Sequence, residues 1–235
     1  MEKTQTIKAN KKFRDSLFKK IFGENKKNAL SLYNAINNSN YTDEDDLEYI
    51  TLEDVVYIKI KNEVSFLVGT SLNLYEQQSS YNPNMPLRGF LYFADLYRQL
   101  IKENERIYSQ QIVRIPNPKY IVFYNGSVSK MNEDVKKLKL SDSFEISDTS
   151  GEFEWTATLV NINLDFNQKL FEKCRALEEY SLFIQCVKDY NKTEKNLTLA
   201  IDKAVDKCIQ ENILRDILER QKKEGKDVVL TEFDE

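Results

Sequence analysis

Apolar residues first recur at helical spacing in residues 12–22, where KFRDSLFKKIF sets Phe13, Leu17, Phe18, Ile21 and Phe22 on one side and Gly23 supplies a stop. A second helix is expected from Lys26 to Asn37, burying Ala29, Leu30, Leu32, Tyr33 and Ile36, and the turn-rich run NNSNYTDEDD follows it. The period then changes to two. Segments 54–61, 63–70 and 71–79, rich in Val, Ile, Tyr and Phe, predict three strands, and Gly69 between the last two predicts an antiparallel hairpin. Pro86 suits the first turn of a helix over 87–102, whose predicted buried side is Leu87, Phe90, Leu91, Ala94, Leu96, Tyr97 and Leu100. After Pro116 and Pro118, KYIVFYNG reads as a central strand at 119–124, residues 126–151 as a surface excursion, and 152–164 as a further strand carrying Trp155. Beyond Asn167 the pattern is helical almost to Lys223, with breaks near 191–196.

This order of elements predicts an α/β fold with a mixed central sheet flanked by helices, occupying residues 1–166, and a C-terminal helical extension over 167–235. A chain of 235 residues that is 41% hydrophobic has enough apolar material for one such core. No apolar run reaches the roughly eighteen residues a membrane span needs, and the start is polar, so the expectation is a cytoplasmic protein with no membrane partner. Cys174, Cys186 and Cys208 are odd in number, far apart and within helical patterns, which predicts reduced core thiols.

Composition narrows the chemistry further, because the chain contains no histidine. Ser-His-Asp and Cys-His mechanisms, H-E-x-x-H zinc sites and every imidazole-bound metal are excluded. Hydrolysis here would use carboxylates, a metal held by oxygen ligands, lysine or backbone groups. The net charge of −4 hides an uneven distribution. Residues 8–27 carry a local charge of +6, with Lys11, Lys12, Lys19 and Lys20 among the bases, whereas residues 41–54 carry −7. The basic stretch reads either as a phosphate-contacting face or as a solvated helix surface.

The candidate chemistry lies on the third predicted strand. Residues i and i+2 share a face, so Leu72, Leu74, Glu76 and Gln78 stand together while Asn73, Tyr75 and Gln77 face away, as expected of a strand that leaves the core and enters a cleft. Glu63 opens the preceding strand and meets Glu76 across the hairpin if the register allows. Two such carboxylates repel unless a divalent cation neutralises them, and Mg²⁺ or Mn²⁺ there would polarise a phosphoryl oxygen and acidify a bound water. The alternative is a pair of exposed strand residues that hold no metal.

Several segments in fixed order carry a resemblance: RDSLFKKIF at 14–22, LSLYNAIN at 30–37, NEVSFLV at 62–68, NLYEQQSSYNPNMPLR at 73–88 and IVFYNG at 121–126. Over roughly residues 14–165 the chain resembles the recombination-promoting nuclease/putative transposase (Rpn) family, a bacterial branch of the PD-(D/E)XK nuclease superfamily. The resemblance implies a restriction-endonuclease-like fold and a Mg²⁺- or Mn²⁺-dependent DNA endonuclease of recombination or mobile-element contexts. It places Glu63 where the family usually has aspartate, Glu76 as the acid of the E-x-K pair, and Gln78 where the superfamily has lysine. By the same analogy the main-chain carbonyl of Gln77 joins Glu63 and Glu76 as a metal ligand. Asp15 is a further candidate acid beside the cleft, or a first-turn acid that complements the helix dipole. Arg88 is a candidate phosphate contact, or a partner of Asp95. The competing expectation is a catalytically silent nuclease-fold protein that binds nucleic acid or a partner. A homodimer, and a protein partner held by the C-terminal helices, are compatible with either.

Overall fold

The computed structural model describes residues 13–50, 63–101 and 105–223. The expected strand at 54–61, the lysines at 11 and 12, and the acidic end of the chain lie outside the described residues. The described chain divides into two compact units, one built from residues up to Asn40 together with those from Ile162 onward, the other from Tyr41–Asn161.

The first unit is helical. Helix α1 (Phe13–Gly23) buries Phe13, Leu17, Phe18, Ile21 and Phe22, the five residues its periodicity selects. Helix α2 (Lys26–Asn37) starts where Asn25 accepts a hydrogen bond from the Asn28 amide at 3.0 Å, and stops at Asn38, which adopts a left-handed conformation with φ 52°. After the second crossing come α4 (Gln168–Lys173), α5 (Arg175–Glu194), α6 (Leu197–Gln210) and α7 (Arg215–Lys223). Phe18 meets Tyr180 of α5 edge-on at 5.6 Å between centroids, and the Tyr180 hydroxyl donates to the Arg14 carbonyl at 3.2 Å. The cysteines are unbridged; Cys174 and Cys208 are buried and Cys186 is half-buried. Among the described residues no helix is long and apolar enough to cross a membrane.

Among the described residues the second unit holds a six-stranded mixed sheet. Strands β1 (Leu47–Tyr49), β2 (Val64–Val68) and β3 (Ser71–Gln78) pair antiparallel in sequence. Helix α3 (Met85–Leu100) follows, then β4 (Asn117–Tyr124), which lies parallel to β3. Strand β6 (Thr156–Asn161) continues parallel beside β4, and β5 (Val135–Lys139) closes the edge antiparallel to β6, giving the order β1-β2-β3-β4-β6-β5. Gly69 opens the two-residue turn between β2 and β3 with φ +56°, where a side chain would be strained, so the hairpin forms where the glycine predicts it. Strand β5 lies inside the segment expected to be a surface excursion. Its sequence VKKLK buries only Leu138, which is too little alternation to mark a strand.

Helix α3 forms where expected but is rotated from its predicted face. Leu87, Phe90, Leu91 and Leu100 are exposed, and the buried side is Met85, Gly89, Tyr92, Phe93 and Leu96. Arg88, Asp95 and Gln99 fall on one side of the helix, which periodicity assigns to solvent, yet Asp95 is buried and Arg88 reaches Glu76, so periodicity alone gives the wrong rotation. The sheet settles it through two fits. Gly89 lies so close to the Tyr120 ring of β4 that a methyl group there would overlap the ring, while Phe93 packs against Tyr120 and, at 5.0 Å, against Trp155. Asp95, also buried, pairs with Arg98 rather than with Arg88.

Two substitutions separate this packing from the face expected of the sequence. Gly89→Ala gains about 1 kcal/mol of helix propensity but forces Tyr120 to move, and is expected to lower stability by about 1–3 kcal/mol in urea unfolding. Leu91→Gln, at a site 45% exposed, is expected to stay within about 0.5 kcal/mol of the parent.

Candidate functional site

Three elements bring the candidate residues to one place in the sheet unit. The β2–β3 register pairs Val64 with Tyr75, and one further step along both strands sets Glu63 opposite Glu76. Residues 79–84 then turn the chain directly from the end of β3 into α3, so Arg88 stands over the carboxylates from the second turn's edge of the helix start, just after Pro86. Strand β4, parallel to β3, brings Tyr120 onto the face that carries Leu72, Leu74 and Glu76, the face against which α3 packs.

The centre of the arrangement is Glu76. Arg88 Nη2 lies 2.6 Å from its Oε1 and 3.5 Å from Oε1 of Glu63, so a single guanidinium nitrogen bridges both carboxylates. Gln78 Nε2 donates to the same Glu76 oxygen at 2.5 Å, and the Tyr120 hydroxyl donates to Oε2. Arg88 Nη2 also donates to the Tyr92 hydroxyl at 3.1 Å, with Nη1 3.6 Å from Met85 Sδ. The carboxylates are buried, their side chains 4% and 7% exposed for Glu76 and Glu63, whereas Arg88 is 32% exposed and forms the outer wall. The strand therefore does not leave the core at Glu76 as its pattern suggested. Glu76 and Gln77 are both buried, and half-exposure begins only at Gln78.

Burial sets the electrostatics. It pushes the Glu76 carboxyl up to about 7; Arg88 draws it down, Glu63 pushes it up, and the hydrogen bonds from Tyr120 and Gln78 lower it. Burial is the largest single influence on Arg88 and disfavours its charged form, but the adjoining Glu76, the hydrogen bond to Tyr92 and the Tyr92 and Tyr120 hydroxyls together outweigh it and raise the pKa. The Tyr120 phenol is raised far above its ordinary value by burial and by the neighbouring carboxylate, so it stays a hydrogen-bond donor.

Gln77 faces the other way, as alternation requires. Its amide donates to Asn125 Oδ1 at 3.0 Å, while its own Oε1 is buried without a partner among the described residues. Because the Gln78 carbonyl accepts from the Asn125 amide of the β4 side at 3.1 Å, alternation turns the Gln77 carbonyl toward the β2 side, where Glu63 stands. Among the described residues there is no cluster of three or more acidic or thiol side chains able to hold a metal. A cation here would rest on two carboxylates, that carbonyl and water, a donor set of hard oxygens that fits Mg²⁺ or Mn²⁺ and suits neither zinc nor copper.

Tyr120 and Tyr92 are the residues that sequence reasoning missed. Each looks like a core aromatic in its own segment, and only the parallel β3–β4 register and the rotation of α3 bring the hydroxyls to Glu76 and Arg88. Asp15 lies half-buried in the first turn of α1, in the helical unit, where its charge complements the helix start. Lys19 is exposed and Lys20 half-exposed on the same helix.

The raised Glu76 carboxyl makes a pH prediction. The folded state holds this proton more tightly than the unfolded chain, so the contribution to stability is greatest below the ordinary value of 4.5 and is lost as pH rises toward about 7. The loss is on the order of 3 kcal/mol, and unfolding curves across this range should show it in the parent protein and a flatter profile in Glu76→Gln. A profile that rises over the same window would contradict the arrangement.

Comparison of the chain with protein-family models, with curated proteins and with solved structures returns no match.

Proposed function

We propose that the sheet unit is a Mg²⁺- or Mn²⁺-dependent endonuclease that hydrolyses phosphodiester bonds in DNA, with a restriction-endonuclease-like reading of its sheet. One observation carries this: two buried carboxylates from adjacent antiparallel strands converge on a single cationic nitrogen, with the Gln78 amide on the same face. Buried acids gathered around one positive charge are costly to assemble for stability alone, which favours a site where a cation is used. The acid-bearing hairpin, followed by helix α3 and the parallel strand β4, supports this reading of the fold, which itself comes from the resemblance noted in the sequence. DNA as substrate rests on that resemblance and on the basic stretch over residues 8–27.

In this reading Glu63, Glu76 and the Gln77 carbonyl hold the cation. When bound, it supplies a counter-charge for a phosphoryl oxygen and acidifies a water ligand. Gln78 orients the attacking water, since a neutral amide accepts or donates a hydrogen bond but takes no proton at neutral pH. Tyr120 fixes the Glu76 carboxylate in place by donating to Oε2. Gln78 therefore positions the water but offers no base for its proton.

A second reading has its own observation. Arg88 already balances much of the carboxylate charge, as it would in a silent protein that keeps the arrangement as an internal ion pair and binds nucleic acid or a protein partner. The two readings diverge on supercoiled plasmid. The endonuclease nicks or linearises it only with Mg²⁺ or Mn²⁺, and Glu76→Gln, which keeps size and most hydrogen bonding, lowers the rate at least about 100-fold. A folded parent protein that leaves plasmid intact across a metal series selects the silent reading.

A further inference from the structure

The position of Arg88 raises a question that the endonuclease reading leaves open. Its guanidinium sits on the oxygens that would ligate the metal, 2.6 Å from Glu76 and 3.5 Å from Glu63. A divalent ion bound to those oxygens would stand about 2.0–2.6 Å from them. The two cations would then be nearly in contact within a buried pocket, where like charges repel strongly. They cannot share the site.

The two residues differ in their freedom to move. Glu76 is fixed by Tyr120 and Gln78 on the central strand β3, and its side chain is almost completely buried. Arg88 reaches in from the start of α3 on a long flexible stem, is a third exposed, and is retained by the Tyr92 hydroxyl at 3.1 Å, with its guanidinium carbon 5.7 Å from the centre of the Tyr92 ring. Outward rotation of its torsions would vacate the carboxylates without moving the backbone of the strand or the helix.

We propose that Arg88 is an internal counter-ion which closes the metal site, and that Mg²⁺ or Mn²⁺ binds only by displacing its guanidinium from Glu76 and Glu63. This rests on the metal-dependent reading of the site and adds its regulation: the closed state is the resting state, and metal affinity is lowered by the strength of the Arg88 seat. The displaced guanidinium turns to the exposed side of the site, from which an anionic backbone would approach. Tyr92 acts as a positioning residue, because its hydroxyl holds the guanidinium in its seat.

The test is Mn²⁺ binding by the full-length protein, followed by isothermal titration calorimetry and by electron paramagnetic resonance at about pH 8, where carboxylates are charged. Arg88→Gln is expected to bind Mn²⁺ at least about tenfold more tightly than the parent, since no buried ion pair has to be broken. Tyr92→Phe keeps the packing of the ring and loosens only the seat, so it should bind about two- to threefold more tightly. That variant decides the matter should Arg88→Gln fail to fold. A parent protein that binds no Mn²⁺ beside an Arg88→Gln variant that does would support a closed site most strongly. If the parent binds Mn²⁺ and neither variant binds more tightly, the counter-ion proposal is overturned and the metal site stands. If no form binds, including folded Tyr92→Phe, both fall.

Discussion

A carboxylate removed from water is tolerated only with partners, and Glu76 is the buried charge around which this unit is organised. Isolated in an apolar interior it would cost several kcal/mol and take up a proton. Here its two oxygens receive a guanidinium, an amide and a phenol, which come from α3, β3 and β4. Each partner constrains the element that carries it. Arg88 and Tyr92 lie four residues apart on one helical face, so α3 can serve Glu76 only in the rotation that also places Gly89 on Tyr120 and leaves Leu87 and Leu91 in solvent. The polar requirement and the close helix–strand approach thus select the same rotation, and the exposed leucines are its consequence.

The sequence was legible where information is local. The hairpin follows from Gly69, the span of α2 from its helical spacing and the turn-rich run after it, and the buried face of α1 from five residues at helical spacing. The division of Glu76 and Gln78 from Gln77 follows from the two-residue period of a strand, and the structure sends the Gln78 amide to Glu76 and that of Gln77 to Asn125. What could not be read is non-local. The parallel register that pairs Leu74 with Tyr120 joins residues separated by an entire helix, and nothing in KYIVFY distinguishes a tyrosine that packs from one that hydrogen-bonds a carboxylate. Strands β1 and β5 were missed for a related reason: LEY and VKKLK pair through the backbone with neighbours already in the sheet, and need little apolar periodicity of their own.

Burial of Glu76 also revises what the strand pattern implied. Two apolar positions followed by two polar ones look like a strand that leaves the core and enters a cleft, but here Glu76 stays buried and its charge is met by protein groups. Each partner acts on the protonation of the acid in its own direction: burial and Glu63 favour the neutral form, Arg88, Tyr120 and Gln78 the charged one. The opposition leaves a carboxyl that changes state near neutrality, so small changes around Arg88 alter whether Glu76 is ionised.

Charge balance gives the Arg88 seat its meaning. Two ionised carboxylates and one guanidinium leave the cluster with a formal excess of one negative charge, while two carboxylates and one divalent ion leave none. Neutralisation therefore favours the divalent ion, and its reluctance to shed water opposes it. Arg88 acts on both sides of this balance. In the proposed exchange, its bridge between Glu63 and Glu76 keeps two like charges within reach of one point and would preorganise the oxygens a metal needs, while its occupancy of that point would have to end before they are used. In the proposed exchange the asymmetry of the bridge matters. Arg88 sits nearer to Glu76 than to Glu63, so the energy of opening lies mainly in the Glu76 contact, on the strand where Tyr120 and Gln78 hold the acid in position after the guanidinium has gone.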